Sequence, residues 1–173
     1  MKYVIPTSLE TERLTLRMFR ESDWRDLHEY YGDEECTTYT TGRALRDYET
    51  WQKLAALVGH WELRAYGSYA VEEKPSRKVM GVVGLDYPLD WPEPEIQWGL
   101  AKRYWGKGLA SEAVRAVKRM AAQYVPSLSL ISLIHPKNSA SIALAQAVGA
   151  HLEREHVFRD GTWLIFRHRG QPY

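Results

Sequence analysis

Cysteine is nearly absent from this chain of 173 residues, where Cys36 stands alone. An intrachain disulfide is therefore impossible, and a metal centre built on several thiolates is excluded. Long apolar runs are missing too, because no stretch approaches the roughly 20 apolar residues needed to cross a bilayer, and no membrane partner is expected. The opening MKYVIPTSLETERL lacks the apolar centre of a secretory leader, so a cytoplasmic location is the expectation. Net charge is small, with 23 Lys and Arg against 22 Asp and Glu and a formal value of +1. Nothing in that balance asks for DNA or another polyanion, and small molecules and proteins are the expected partners. Repeats, linkers and low-complexity segments are absent as well, so residues 1–173 read as a single domain with one core. Aromatic residues, by contrast, are plentiful. Seven Trp and eleven Tyr suit either a large core or a cleft lined with rings.

Periodicity supplies the elements. Leu14, Leu16 and Met18 alternate with Arg13, Thr15 and Arg17, the period of a strand with one buried face. Ser22 is placed to cap a helix carrying Trp24, Leu27 and Tyr31, and Gly32-Asp33 is placed to end it. A second helix is predicted from Asp47 to Arg64, with Trp51, Leu54, Ala55, Val58 and Trp61 on its apolar stripe and Gly59 weakening its middle by about 1 kcal/mol. From Tyr69 the period returns to two; KPSRK gives turn chemistry and VMGVVGL a second strand, together a hairpin. YPLDWPEPE holds three prolines and cannot sustain a ladder, whereas EIQWGL alternates and reads as the fourth strand. Leu109, Ala113, Val117, Met120 and Tyr124 then repeat at helical spacing, predicting a helix over 108–124 closed by Pro126. LSLISLI has the character of a strand covered on both faces. IALAQAVG follows as a short helix stopped by Gly149, and HLEREHVF and WLIFRHR flank an Asp-Gly hairpin signal. The class is α/β, a mixed twisted sheet of six to seven strands flanked by about four helices.

The segment RYWGKGLASEAV carries the chemistry. A strand ending near Leu100, a turn with two glycines and a helix starting near Gly108 would aim several unpaired backbone N–H groups at one spot. Glycine there takes positive φ and lets a ligand approach the main chain, while Arg103 and Lys107 add positive charge. A diphosphate is the natural guest. The dinucleotide fingerprint fails, because Ser111 stands where its third glycine is required, and the Walker loop fails, because Lys107 precedes Gly108 rather than Ser or Thr.

Arg103-Tyr104-Trp105-Gly106-Lys107-Gly108 resembles the diphosphate motif of the GNAT superfamily of N-acetyltransferases. The longer strings EIQWGLAKRYWGKGLASEAV, HPKNSASIALAQAVGA and LETERLTLRMFRESDW resemble its ribosomal-protein N-terminal acetyltransferase branch. The resemblance covers nearly the whole chain and implies a matching fold. It also implies that acetyl-CoA, the acetyl donor, lies in a V-shaped opening between the strand at 95–100 and the strand at 128–134. On that basis the main chain at Trp98, Gly99 and Leu100 would hold pantetheine. Arg103, Gly106, Lys107, Gly108, Leu109 and Ala110 would hold the diphosphate. Asn138 matches a cofactor-contacting asparagine, with Ser141 one turn on. Asn138 is also well placed to be a helix cap.

The resemblance further implies Glu95 as a candidate base. With an ordinary pKa of about 4.3 it would serve poorly unless burial near Trp91 and Trp98 raised that value, and its alternative is a solvated strand carboxylate. An α-amine, with a pKa near 8, needs less help than a lysine amine, which favours a peptide or protein N-terminus as acceptor over a lysine side chain, with a small-molecule amine as the alternative. A backbone N–H near Leu100 would steady the oxyanion. The family's leaving-group tyrosine is replaced by Ala145, leaving Ser141 or Tyr104 as donors, and its Gly-Phe becomes Gly149-Ala150. A sensor that binds acyl-CoA without turnover and a nucleotide-phosphate binder are the rival readings.

Other residues carry weaker expectations. His151 and His156, five apart on one strand, would face opposite ways, and His135 and His168 read as surface residues, so no metal is expected. Trp24, Trp51 and Trp61 are assigned to core packing, with Trp51 and Trp61 alternatively walling the acceptor cleft. Arg13, Arg17 or the acidic run Asp33 to Glu35 would select acceptor charge. Cys36 lies far along the sequence from the glycine motif without a partner base, so direct transfer is expected over a covalent enzyme intermediate. Either a monomer or a homodimer is compatible.

Overall fold

The computed structural model describes residues 3–159 and 161–169. One eight-stranded sheet runs through it. In chain order the strands are β1 (Ser8–Glu10), β2 (Leu14–Arg17), β3 (Ser68–Glu73), β4 (Val79–Asp86), β5 (Glu95–Leu100), β6 (Ile131–Ile134), β7 (Ala150–Phe158) and β8 (Gly161–His168). The helices are α1 (Trp24–Tyr31), α2 (Glu34–Thr37), α3 (Asp47–Arg64), α4 (Leu109–Tyr124) and α5 (Ser139–Ala147). Strand order is β1-β2-β3-β4-β5-β6-β8-β7, antiparallel everywhere except between β5 and β6.

The sheet therefore has eight strands where six to seven were expected. The addition is β1, whose three residues contain one half-buried side chain, Leu9, too little for a period-two signal. The short helix α2 also lacked a signal; Asp33 starts it by accepting from the Cys36 N–H at 2.8 Å. Both hairpins form, β3–β4 and β7–β8. In the second, Phe158 pairs with Gly161 and Arg159 takes φ 51; Asp160, half of the expected Asp-Gly turn, lies outside the described residues. The strand expected at 128–134 is shorter, Ile131–Ile134.

Helix α3 has the expected bounds but is rolled about its axis. Thr50, Leu54, Leu57 and Trp61 are buried, while Trp51 is 44% exposed and Val58 37%. The Trp61 indole fixes that rotation by donating to the Ser68 carbonyl at 2.7 Å. Ser22 is not a cap: it sits inside a 3-10 turn, Glu21–Asp23, and the Asp23 carboxylate accepts from the Arg20 N–H at 2.7 Å. Trp24 does pack against the core.

Buried side chains form two clusters rather than one. The larger spans β2 to β5 with α1, α3 and α4; the smaller joins Ile134, Ala145, Ala150 and Phe166 around α5 and β6 to β8. Trp98 packs against both.

The histidine expectations change with the register. A shift between Leu152 and Arg154 puts His151 opposite Arg167 and His156 opposite Trp163, two positions of even separation on β8, so both histidines share a face. About 13 Å of strand still separates them. His168 is buried, its Nε2 2.9 Å from Ser132 Oγ, and burial pushes its pKa down to about 3. His135 is half-buried, stacked on Tyr39 with centroids 5.0 Å apart. Among the described residues no group of three or more His, Cys, Asp or Glu is arranged to hold a metal ion, and no helix is long and apolar enough to cross a membrane.

Candidate active site

The site begins where β5 and β6 part. They share one parallel pair, Glu95 with Ile131, and diverge beyond it. Along β5 the peptide groups alternate between its two edges. Ala101 N–H bonds the Met80 carbonyl on the β4 side, while the Pro94 and Ile96 carbonyls accept from Ile131 N–H and Ser132 Oγ on the β6 side. The main chain of Trp98 and Leu100 therefore points into the opening. The Leu100 carbonyl there accepts from the Trp105 indole at 2.7 Å. Among the described residues no strand pairs with that edge beyond Glu95.

The glycine turn continues this edge. Gly106 and Gly108 take φ 71 and 73, the left-handed conformation that side chains resist. Gly108 caps α4 with no side-chain hydrogen bond, and the first intrahelical bond runs from Glu112 N–H to its carbonyl. The N–H groups of Leu109, Ala110 and Ser111 thus have no partner within the helix and carry its positive dipole end. Behind the loop, Arg13 donates to the Lys107 carbonyl at 2.9 Å and pairs with Glu112 at 2.7 Å. Glu112 also accepts from Thr11 Oγ1 at 2.6 Å and Arg13 N–H at 2.9 Å. Arg13 is thereby a brace for the loop, not an acceptor-selecting residue. Arg17 is a structural cation as well, buried against Asp23 at 2.8 Å and Glu72 at 2.7 Å.

A cleft of about 630 Å³ follows this path. Its wall includes Trp98, Gly99, Leu100, Gly106, Gly108, Leu109, Ala110, Asn138 and Ser141, so most residues singled out from the sequence come together. Three stand apart from that wall. Arg103 pairs with Glu29 at 3.0 Å and lies over the Tyr104 ring, Lys107 faces the same ring, and Glu95 sits at the closed end of the opening. Asn138 does cap α5, accepting from Ser141 N–H at 3.2 Å. The Trp98 indole crosses from β5 to α5 and donates to Ser141 Oγ at 3.1 Å, leaving that hydroxyl its own proton to give. Tyr104 is buried in the wall, and burial raises its pKa.

Glu95 is a buried carboxylate. It is 6% exposed, so the solvated alternative is overturned. Its Oε2 accepts from Leu133 N–H at 3.1 Å, a bond that a continued β5–β6 ladder would have made with main chain. The carboxylate occupies the apex of the V as a substitute for a peptide group. Burial pushes its pKa up to about 8; the Leu133 bond opposes that rise and the charge of Asp86, directly opposite on β4, adds to it.

A further wall comes from α1, α2 and the turn that follows α2. Tyr30, Cys36, Tyr39 and Thr40 line the cleft opposite the glycine turn. Gly99 explains how Tyr30 comes so close: a Cβ there would lie 2.3 Å from the ring. Cys36, distant in sequence, is at the cleft, its Sγ 4.0 Å from the Leu100 carbonyl. Burial first and Asp33 second push its pKa up to about 11, so it stays a thiol. Spacing along one chain gave no signal for this wall, since α2 is a single turn.

A family profile described as an acetyltransferase (GNAT) domain matches residues 13–151. An uncharacterized N-acetyltransferase, p20, of Bacillus licheniformis is 26% identical over 155 residues, 88% of this chain and 86% of that protein. The crystal structure of an acetyltransferase from Agrobacterium tumefaciens superposes with a TM-score of 0.83 at 26% identity, covering 98% of this chain and 97% of that one. A ribosomal alpha-N-protein acetyltransferase in complex with coenzyme A shares the fold, with a TM-score of 0.72 at 18% identity over 95% of this chain and 96% of the other.

Proposed function

This chain belongs to the acetyltransferases of the GNAT family, and from that premise we propose that residues 1–173 form one acetyl-CoA-dependent domain acting on a primary amine, a peptide or protein N-terminus. One observation carries the reading: the unpaired edge of β5 runs directly into the free amides at the start of α4, within a single cleft. An extended amide-bearing chain suits the first part and a diphosphate the second, which is the order of groups in coenzyme A. The coenzyme A complex of a neighbour with this fold supports the same assignment.

Transfer requires a neutral amine, a steadied carbonyl oxygen and a thiolate that leaves. Leu100 N–H, on the open edge, is the donor for the oxygen, a contact worth about 3 kcal/mol when aligned. Glu95 is the proton acceptor. With a pKa raised to about 8 it is matched to an α-amine near 8, so the proton moves between groups of similar affinity. Glu95 lies three residues, about 10 Å, from Trp98 along the strand, and the proton passes through water. Ser141 Oγ–H, held by the Trp98 indole, donates a hydrogen bond to the leaving sulfur and relays to it a proton from water, which restores the hydroxyl. Cys36, kept protonated, takes no covalent part. The alpha-N-protein activity named for the neighbour supports an N-terminal acceptor.

A thermal-shift panel tests the reading. Coenzyme A at about 100 times its dissociation constant should add about 2.7 kcal/mol of stability, and ATP should add little. Thiol release with N-terminal peptides should exceed that with small amines. Stabilisation by ATP alone would refute the cofactor assignment, and coenzyme A binding without thiol release from any amine would refute catalysis.

A further inference from the structure

A second cavity, of about 330 Å³, opens between α4 and the end of α5, and half of its six lining residues are cations: Arg115, Lys118 and Arg119, with Ala147, Val148 and Gly149 completing it. It adjoins the cleft. Ala147 lines both, and Arg115 stands one helical turn beyond Ser111, the last α4 residue in the cleft wall.

The charge here is uncompensated. Arg13, Arg17, Arg43 and Arg167 pair with carboxylates, and Arg25 and Arg64 lie over aromatic rings, yet none of the three cations gathered here has an ion pair among the described residues. Arg115 donates once to the Ala147 carbonyl at 2.9 Å and Lys118 once to Val148 at 2.6 Å, which satisfies the end of α5. Those bonds leave most of their N–H groups free, since a guanidinium has five and an ammonium three. Arg119 makes no such bond among the described residues, so capping does not account for it. Partial burial and repulsion from Arg115 lower the Lys118 pKa, as expected of a cation short of a counterion.

We propose that this cavity seats the 3′-phosphate of coenzyme A. The inference rests on the cofactor reading above and extends it. Coenzyme A carries a phosphate monoester besides its diphosphate, bearing nearly two negative charges at neutral pH. The diphosphate is served by the amides at Gly108 to Ser111. Among the described residues the cleft wall itself holds one cation, Lys137, on the turn before α5. Along α4, Gly108 to Arg115 spans about 10 Å, within reach of a ribose phosphate attached to a seated diphosphate.

Calorimetry with coenzyme A and 3′-dephospho-coenzyme A tests this directly. The protein should bind coenzyme A at least about tenfold more tightly, a ratio that shrinks with added salt. Arg115→Gln with Arg119→Gln should bring coenzyme A down to the dephospho affinity and leave the dephospho affinity unchanged. If loss of the Arg115 cap impairs folding, Arg119→Gln alone should cut the ratio about threefold or more. Equal binding of both ligands by the unaltered protein would overturn the proposal, as would a variant that weakens both alike or a ratio abolished by Lys137→Gln instead. Failure to bind either ligand would overturn the cofactor reading and this inference together, and so is distinguishable from loss of the ratio alone.

Discussion

Replacing Glu95 with Gln tests the buried carboxylate most directly. Gln keeps the shape and can still accept from Leu133 N–H, but it does not titrate. The folded-state pKa of Glu95 is raised from the ordinary 4.5 to about 8, so the folded protein holds the proton more tightly than the unfolded chain. Stability relative to Gln is therefore undiminished below pH 4.5, is lost as pH rises, and levels off above the folded-state value. At about 1.36 kcal/mol per pH unit, the interval from 4.5 to about 8 caps the penalty at about 5 kcal/mol, of which about three quarters accrues between pH 5 and pH 8. Urea denaturation of both proteins at fixed ionic strength, from pH 5 to 9, should show the Gln variant gaining on the parent across that range. Asp86→Asn, removing the opposing charge, should make the loss smaller and level it off at a lower pH. Two curves that stay parallel would mean that Glu95 is ionised and solvated throughout, and the argument for its role as proton acceptor would fall. Turnover should drop in Glu95→Gln while coenzyme A affinity holds.

Three further outcomes follow from the loop and the seam. Gly108→Ala forces a side chain into φ 73, costing about 1 kcal/mol of stability, and should weaken coenzyme A binding several-fold by calorimetry. Arg13→Gln removes the brace on the Lys107 carbonyl and should weaken coenzyme A binding about fivefold while shifting the denaturation midpoint little, since Arg13 is half exposed. Ser141→Ala should lower kcat by about tenfold near pH 7 and by less at pH 9, where the thiolate leaves without a proton; an equal loss at both pH values would assign Ser141 to Trp98 positioning alone.

Much of this was legible in the sequence wherever one element carried its own signal. EIQWGL has the bounds of β5, and Asp47 and Arg64 are the ends of α3, because alternation and caps are local properties. The glycine turn was legible for the same reason: two glycines before a helix announce positive φ and free amides. What failed was rotation and distance. The α3 stripe was misjudged because Trp51 looks apolar whichever way it faces, and only the Ser68 carbonyl decides that Trp61 turns inward. His168 seemed a surface residue among arginines, yet Ser132, 36 positions away, draws it inside. Cys36 and Tyr39 reach the cleft through a four-residue helix that no periodicity marks. The β7 bulge reversed the histidine argument by inserting one residue where strict alternation was assumed.

The double allegiance of Trp98 bears on how the molecule behaves when empty. Along the β5–β6 seam itself the two packed lobes meet through one main-chain pair, the Ser132 and Glu95 side-chain bonds and one indole, with Arg115, Lys118 and Arg167 bridging them outside it. A guest laid along that seam would supply hydrogen-bond partners the polypeptide itself leaves out, becoming in effect a borrowed strand between the halves. Donor occupancy would then add to how firmly the C-terminal third is held to the rest, so that the same molecule serves as reagent and as rivet.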